Sequence, residues 1–255
     1  MKVESFGILK ARFDAYVDTF RIDGELPPMM ELKRIHTGKV LENARAIASG
    51  ERFDTRMAAL CEAAALLHDT GRFEQLRKYG TFRDADSVDH AVFSRDTVEA
   101  QGWIKGWDGE KTILDAVRYH NAREIPSELE ETGRKVCEVV RDADKLDIFR
   151  VLEDEISATD LKGGSRAFWN LPLDARPNPA VTAAIREGRP VKYRDIVSFA
   201  DFVLVQVGWI RGELVFETSR RLCAERGHME FRRKLLNKVL DGDPVVDELC
   251  RTAHG

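Results

Sequence analysis

The sequence predicts an all-α protein. Apolar residues recur at steps of three and four along most of the 255 residues, no stretch alternates apolar and polar residues with a period of two, and glycine- and proline-bearing breaks separate the helical runs. A hydrophobic fraction of 43% is enough for a substantial core, and 33% charged residues make an ordinary water-facing surface.

The elements follow in order. Phe6, Leu9, Phe13, Tyr16, Val17 and Phe20 lie at helical spacing with Lys10, Arg12, Asp14 and Asp18 between them, which predicts an amphipathic helix over about 6–20. After a break at 24–28, a second helix is expected over about 31–48 with Leu32, Ile35, Val40, Ala44 and Ile47 as its apolar stripe. His36 precedes Val40 by four residues and so shares that stripe. A third helix, about 55–69, is nearly all alanine and leucine over most of its surface, the mark of a central helix. It ends in His68-Asp69, with Gly71 read as its stop. The polar stretch from Gln75 to Asp84 reads as a loop or broken helix. A fourth helix is expected from near Ser87, carrying His90, Val92, Phe93 and Val98.

Trp103 and Trp107 fall in a connection whose aromatic packing is the expected use. Asp108 is the expected cap of a helix over 109–121, in which Ile113, Val117 and His120 face inward. Past Pro126, a helix over about 132–155 places Val136, Val140 and Asp144 at steps of four, so Asp144 is a carboxylate on a buried stripe. Residues 159–190 lose periodicity and hold Gly163, Gly164, Pro172, Pro177 and Pro179, which reads as a long loop or a pair of short helices. From about Tyr193 the pattern returns, with an apolar stripe from Phe199 to Val215 and a charged helix to about Leu240. His228 and His254 read as surface residues.

The bulk numbers exclude some functions. A formal net charge of -4 gives no footprint for a large nucleic acid. No run approaches the roughly 20 apolar residues of a membrane span, and the first six residues lack the apolar core of a signal peptide, so a cytoplasmic location is expected. Cys61, Cys137, Cys223 and Cys250 form no close pair, which suits a reducing compartment and argues against a thiolate zinc site.

The chemistry gathers around His68-Asp69. Burying an imidazole and a carboxylate at the end of an apolar helix is costly unless both are satisfied. Either they cap the helix or they ligate a divalent ion, for which both are good donors. The rest of the chain weighs on this choice. Of six histidines, His36, His68, His90 and His120 sit on successive predicted helices, and Asp69 and Asp144 accompany them. Six such donors can hold two divalent ions with a carboxylate bridging them.

This order resembles the HD-domain metal-dependent phosphohydrolase superfamily, in its dinuclear, six-ligand form. His68-Asp69-Thr70-Gly71-Arg72-Phe73 is similar to the HD signature, Asp89-His90-Ala91 and Tyr119-His120-Asn121 to the segments that add histidines, and Asp142-Ala143-Asp144-Lys145-Leu146 to the terminal aspartate motif. The resemblance covers about 30–155. It implies an HD-domain helical bundle over 1–158, with residues 159–255 as additional C-terminal helices that pack on it, shape the pocket or form a homodimer contact. It further implies His36, His68, Asp69 and Asp144 as ligands of a first metal, and a second metal held by His90 and His120 and bridged by Asp69. The ions would be iron, manganese or similar, with magnesium or zinc also compatible.

Arg72 stands where the cyclic-dinucleotide phosphodiesterases of the family carry lysine, Asn121 replaces the second histidine of a pair, and Phe73-Glu74 replaces the acidic pair of the guanosine-tetraphosphate hydrolases, so neither activity is assigned. The expected reaction is hydrolysis of a phosphate mono- or diester, nucleotide-like, by a metal-activated water. Asp69, Arg72 and Lys145 are the expected catalytic residues, and Arg72, Lys78, Arg83 and Arg123 the expected substrate contacts. Asp147 is a candidate partner for a ligand histidine. The same six ligands also serve di-iron oxygenases of this fold, and a non-catalytic nucleotide sensor is the third reading.

Overall fold

The computed structural model describes residues 3–158 and 171–251. Among them there is no strand, only an isolated bridge between Ile22 and Glu25, and the all-α expectation holds. No helix among the described residues is long and apolar enough to cross a membrane. The chain divides into two compact units, Met1–Asp147 and Ile148–Gly255.

The first unit contains α1 (Val3–Asp18), α2 (Pro28–Gly50), α3 (Thr55–Leu67), α4 (Gly71–Tyr79), α5 (His90–Gln101), α6 (Glu110–Tyr119) and the start of α7 (Glu131–Ala158). Helix α3 is its centre. Leu60, Cys61, Ala63, Ala64, Ala65, Leu66 and Leu67 are all buried, and α1, α2 and α6 pack on it. The small alanine side chains allow these neighbours a close approach on several sides, which is why a helix of such composition takes the middle. The Asp54 side chain caps its start by accepting from Met57 N.

Several local expectations are corrected. Gly71 does not end α3. It opens α4, and only His68, Asp69 and Thr70 separate the two helices. A Cβ at Gly71 would lie 2.6 Å from Ser94 N and 2.8 Å from Phe93 C, so glycine is required there for the close approach of α5. Of the two readings of the polar stretch from Gln75 to Asp84, the broken helix is the one found: α4 runs to Tyr79, ends at Gly80 in the left-handed region (φ +67°), and a short 3-10 turn follows at Asp84–Asp86. Asp108 does not cap α6. It pairs with Arg56, and Gly109 takes the cap position at φ +87°, where a Cβ would collide with Leu60. Leu32 and Ile35 are exposed rather than part of the stripe of α2. That face is instead made by His36, Thr37, Val40, Leu41, Asn43, Ala44 and Ile47. Trp103 is buried and packs edge-on to Tyr16.

The second unit contains the end of α7, α8 (Pro179–Arg186), α9 (Phe199–Gly208), α10 (Glu217–Glu225), α11 (His228–Val239) and α12 (Pro244–Cys250). Helix α9 continues into a π-helical turn, Trp209–Glu213. Its core gathers Leu152, Val181, Phe199, Val203, Leu204, Val207, Leu236 and Val246. Ser198 and Asp201 form a reciprocal capping box at the start of α9. His228 is buried, not superficial as expected. Its Nδ1 lies 2.7 Å from Glu153 Oε1, and that carboxylate also accepts from the fully buried Arg232. The charged look of α11 hid this, because one of its arginines points inward. His254, Gly163 and Gly164 lie outside the described residues.

Candidate metal centre

The six residues singled out from the sequence converge within the first unit. Helix α2 brings His36, the α3–α4 junction brings His68 and Asp69, α5 begins with His90, His120 follows α6, and α7 brings Asp144.

Each histidine has its Nδ1 engaged. His68 and His120 stand one residue beyond α3 and α6. Each donates from Nδ1 to the carbonyl three residues back, Ala65 at 2.8 Å and Val117 at 2.7 Å, which a helix end leaves without an intrahelical partner. His36 Nδ1 lies 2.7 Å from Asp147 Oδ2, and His90 Nδ1 lies 2.5 Å from Asp84 Oδ2. With these acceptors on Nδ1, a neutral imidazole at each position keeps its proton on Nδ1 and presents the Nε2 lone pair to the others.

The Nε2 atoms fall into two groups. His36 Nε2 and His68 Nε2 are 3.4 Å apart, and both lie 3.6 Å from Asp69 Oδ2. Asp144 Oδ1 completes this cluster at 3.1 Å from His36 Nε2 and 3.8 Å from His68 Nε2. His90 Nε2 and His120 Nε2 are 3.1 Å apart, and both lie 3.7 Å from Asp69 Oδ1. Donors about 2.1 Å from one ion lie about 3.0–3.4 Å from each other between right-angled and tetrahedral geometry. The histidine–histidine edges of 3.4 and 3.1 Å and the His36–Asp144 edge of 3.1 Å fall in this range, and the remaining edges, at 3.6–3.8 Å, are a few tenths of an ångström longer. Each cluster contains a trio of His/Asp donors close enough to share a cation: His36, His68 and Asp69 in one, Asp69, His90 and His120 in the other.

The donor chemistry fits cations. Lone pairs that face each other at 3.1–3.4 Å repel unless something positive lies between them. Asp69 Oδ1 is buried and accepts no hydrogen bond, although such a group is costly to leave unsatisfied. Burial opposes the charge on Asp69, but Lys33, His68 and Arg72 outweigh it and hold the carboxyl well below the usual carboxylate range. Asp144 is also lowered: burial is outweighed by its hydrogen bond with His36. Burial, then the neighbouring His90 and His68, push His120 down to about 3, so it stays neutral. At His36, burial and Lys33 act downward, and the hydrogen bonds to Asp144 and Asp147 overcome them and raise it. A proton on His36 and a cation are alternative ways of satisfying Asp144.

The cations expected to receive substrate are placed differently from one another. Arg72 is mostly buried. It braces the segment after α4, donating from Nη1 to Phe82 O at 2.6 Å, Gln75 Oε1 at 2.8 Å and Asp84 Oδ1 at 2.9 Å, with its Nε 3.5 Å from Asp69 Oδ1. Lys145 is buried and follows Asp144 in α7. Lys78 pairs with Glu74 and lies over the Phe93 ring, and Arg83 pairs with Asp86 on the surface. Arg123 is exposed in the turn after His120.

Two residues of the centre were not anticipated. Lys33, one turn before His36, donates to Asp69 Oδ2 at 2.7 Å and lies 5.6 Å from the centre of the Phe82 ring. Its spacing of three from His36 is the only signal that could have found it. Asp84 had no such signal, because a polar segment offers many acids. Asp84, Asp89 and His90 also cluster, but Asp89 caps α5 by accepting from Ala91 N and Val92 N, and Asp84 is bonded by His90, Arg72 and Gln75.

Residues 34–149 match the family model described as HD domain. No curated protein and no solved structure matches the chain.

Proposed function

From the premise of an HD domain over residues 34–149, a superfamily of metal-dependent hydrolases, we propose that this chain is a phosphohydrolase cleaving a phosphate mono- or diester of a small, nucleotide-like molecule with two divalent ions. The observation that supports this reading best is the division of labour within Asp69, whose Oδ2 belongs to one group of donors and whose Oδ1 belongs to the other.

Under this reading His36, His68, Asp69 and Asp144 hold one ion, and Asp69, His90 and His120 hold the other. Bound there, the ions supply Lewis acidity toward phosphoryl oxygens and lower the pKa of water. The chain's own residues do the rest. Asp69 stays ionised, so its two oxygens remain available as donors. The Nδ1 partners keep four imidazoles aimed inward without further ordering during turnover. Charge that builds on the phosphoryl oxygens needs fixed cations. Lys33 and Lys145, which border Asp69 and Asp144, are proposed for that work, together with Arg72. Arg123, Lys78 and Arg83 are proposed to meet the outer part of the substrate.

The test is a screen of chromogenic phosphate mono- and diesters on protein stripped with chelator and reloaded with manganese or iron, with and without oxygen. Hydrolysis that requires the metal and ignores oxygen supports the reading. Turnover that requires oxygen would replace it with oxygenase chemistry, and a chain that takes up no metal would make it a sensor.

A further inference from the structure

Three of the four histidines are oriented from within the helical frame. His68 and His120 use carbonyls of the helices they follow, and His36 uses the buried Asp147. His90 has no such recourse. It is the first residue of α5, so no preceding turn of its own helix offers a carbonyl to its Nδ1. Its partner, Asp84, comes from the segment that joins α4 to α5, and the Asp84 side chain is 33% exposed.

Asp84 is itself held in place. Its Oδ1 accepts from Arg72 at 2.9 Å and Gln75 at 3.1 Å, while Gln75 also donates to Ser87 Oγ and Val88 O. Its Oδ2 takes the His90 ring at 2.5 Å. Asn121 Nδ2 also lies 3.3 Å from His90 Nδ1 but as a donor cannot hold the Nδ1 proton, and the Asp89 carboxylate nearby is taken up by the backbone N–H groups of Ala91 and Val92. An anionic acceptor on Nδ1 also makes Nε2 a stronger donor to a cation.

We propose that Asp84 is a positioning residue that sets cation affinity at the Asp69, His90 and His120 cluster separately from the His36, His68, Asp69 and Asp144 cluster. One cluster takes its donors and their Nδ1 partners from α2, α3, α7 and the three-residue α3–α4 junction. The other depends on the 80–89 segment, so the second ion is held only as well as that segment is ordered. This inference rests on the two-ion reading above.

The experiment is calorimetric titration of the chelator-stripped full chain with manganese(II), comparing wild type with Asp84→Asn. Helical circular dichroism and melting temperature serve as checks on folding. In wild type, two binding steps are expected. In Asp84→Asn the tighter step stays within about twofold and the weaker step loses about 10- to 100-fold in affinity, with loss of the spin-coupled manganese signal in electron paramagnetic resonance. Two unchanged steps, or two steps weakened alike, would overturn the proposal. A wild-type titration with fewer than two steps would remove the two-ion reading itself, and this inference with it.

Discussion

His36 Nδ1 and Asp147 Oδ2 meet at 2.7 Å across 111 residues of sequence, and both side chains are almost wholly buried. The pair ties α2 to α7, and Asn43 Nδ2 donating to Ala143 O does the same nearby. Because Asp144 lies one turn before Asp147 on the same helix, one contact sets His36 and Asp144 together. Asp147→Asn keeps the shape and removes the charge. We expect affinity for the first ion to fall about 10- to 100-fold with helicity unchanged, measured by manganese titration. Wild-type affinity in this variant would show that Asp147 does not tune the centre.

Asp69 places one oxygen in each cluster, which separates two kinds of donor loss. Asp69→Ala removes a donor from both clusters and is expected to abolish both ion-binding steps and turnover. His120→Ala removes a donor from one cluster and is expected to leave one ion per chain. Metal content by elemental analysis distinguishes them. Equal metal loss in the two variants would contradict separate clusters.

Gly71→Ala tests how the α3–α4 junction supports the centre. The new Cβ would press on the backbone of Phe93 and Ser94, which cannot rotate away, and Gly71 N donates to Ser94 Oγ at 2.9 Å. We expect a loss of about 1–3 kcal/mol, or a fall in melting temperature of about 2–10 °C. Ser94 lies one turn beyond His90, so a displaced α5 should also weaken the second ion. A variant as stable as wild type would mean that α5 shifts without cost.

That the six donor side chains stand out together was legible because most of them break a local rule, a histidine or carboxylate on, or just beyond, an apolar helical face, and His90 opens the next helix. The helices themselves followed from periodicity. What was not legible depended on tertiary neighbours. Lys33 and Asp84 are ordinary charges in polar surroundings until the fold brings Asp69 and His90 to them. Leu32 and Ile35 satisfied helical spacing, yet the inward face of α2 is set by His36 and Thr37 and lies to one side of them. Gly71 carried a conformational signal that reads equally as a helix stop or as a close approach, and only the presence of α5 decides between the two.

The second unit makes its own prediction about acid. Glu153 Oε1 receives His228 and Arg232, and Arg232 is fully buried, its guanidinium also bonded to Gln206 Oε1, His228 O and Phe149 O. Burial acts to raise the Glu153 pKa, but the hydrogen bonds from His228 and Arg232 outweigh it and leave it lowered. A carboxyl lowered on folding stabilises above its unfolded pKa of about 4.3, and that contribution is lost as pH falls through the folded value. Glu153→Gln leaves the Arg232 charge buried without its counter-ion, so at pH 7 we expect a loss of about 3 kcal/mol. The gap between variant and wild type should begin to narrow as the pH falls below about 4.3, where Glu153 of the unfolded chain takes up its proton, and close as the pH passes the lower folded value, where Glu153 in the fold is neutralised as well. Urea unfolding at a series of pH values measures both effects. A gap that stays constant down to acid pH would show that the charge on Glu153 is not what holds Arg232 in the core.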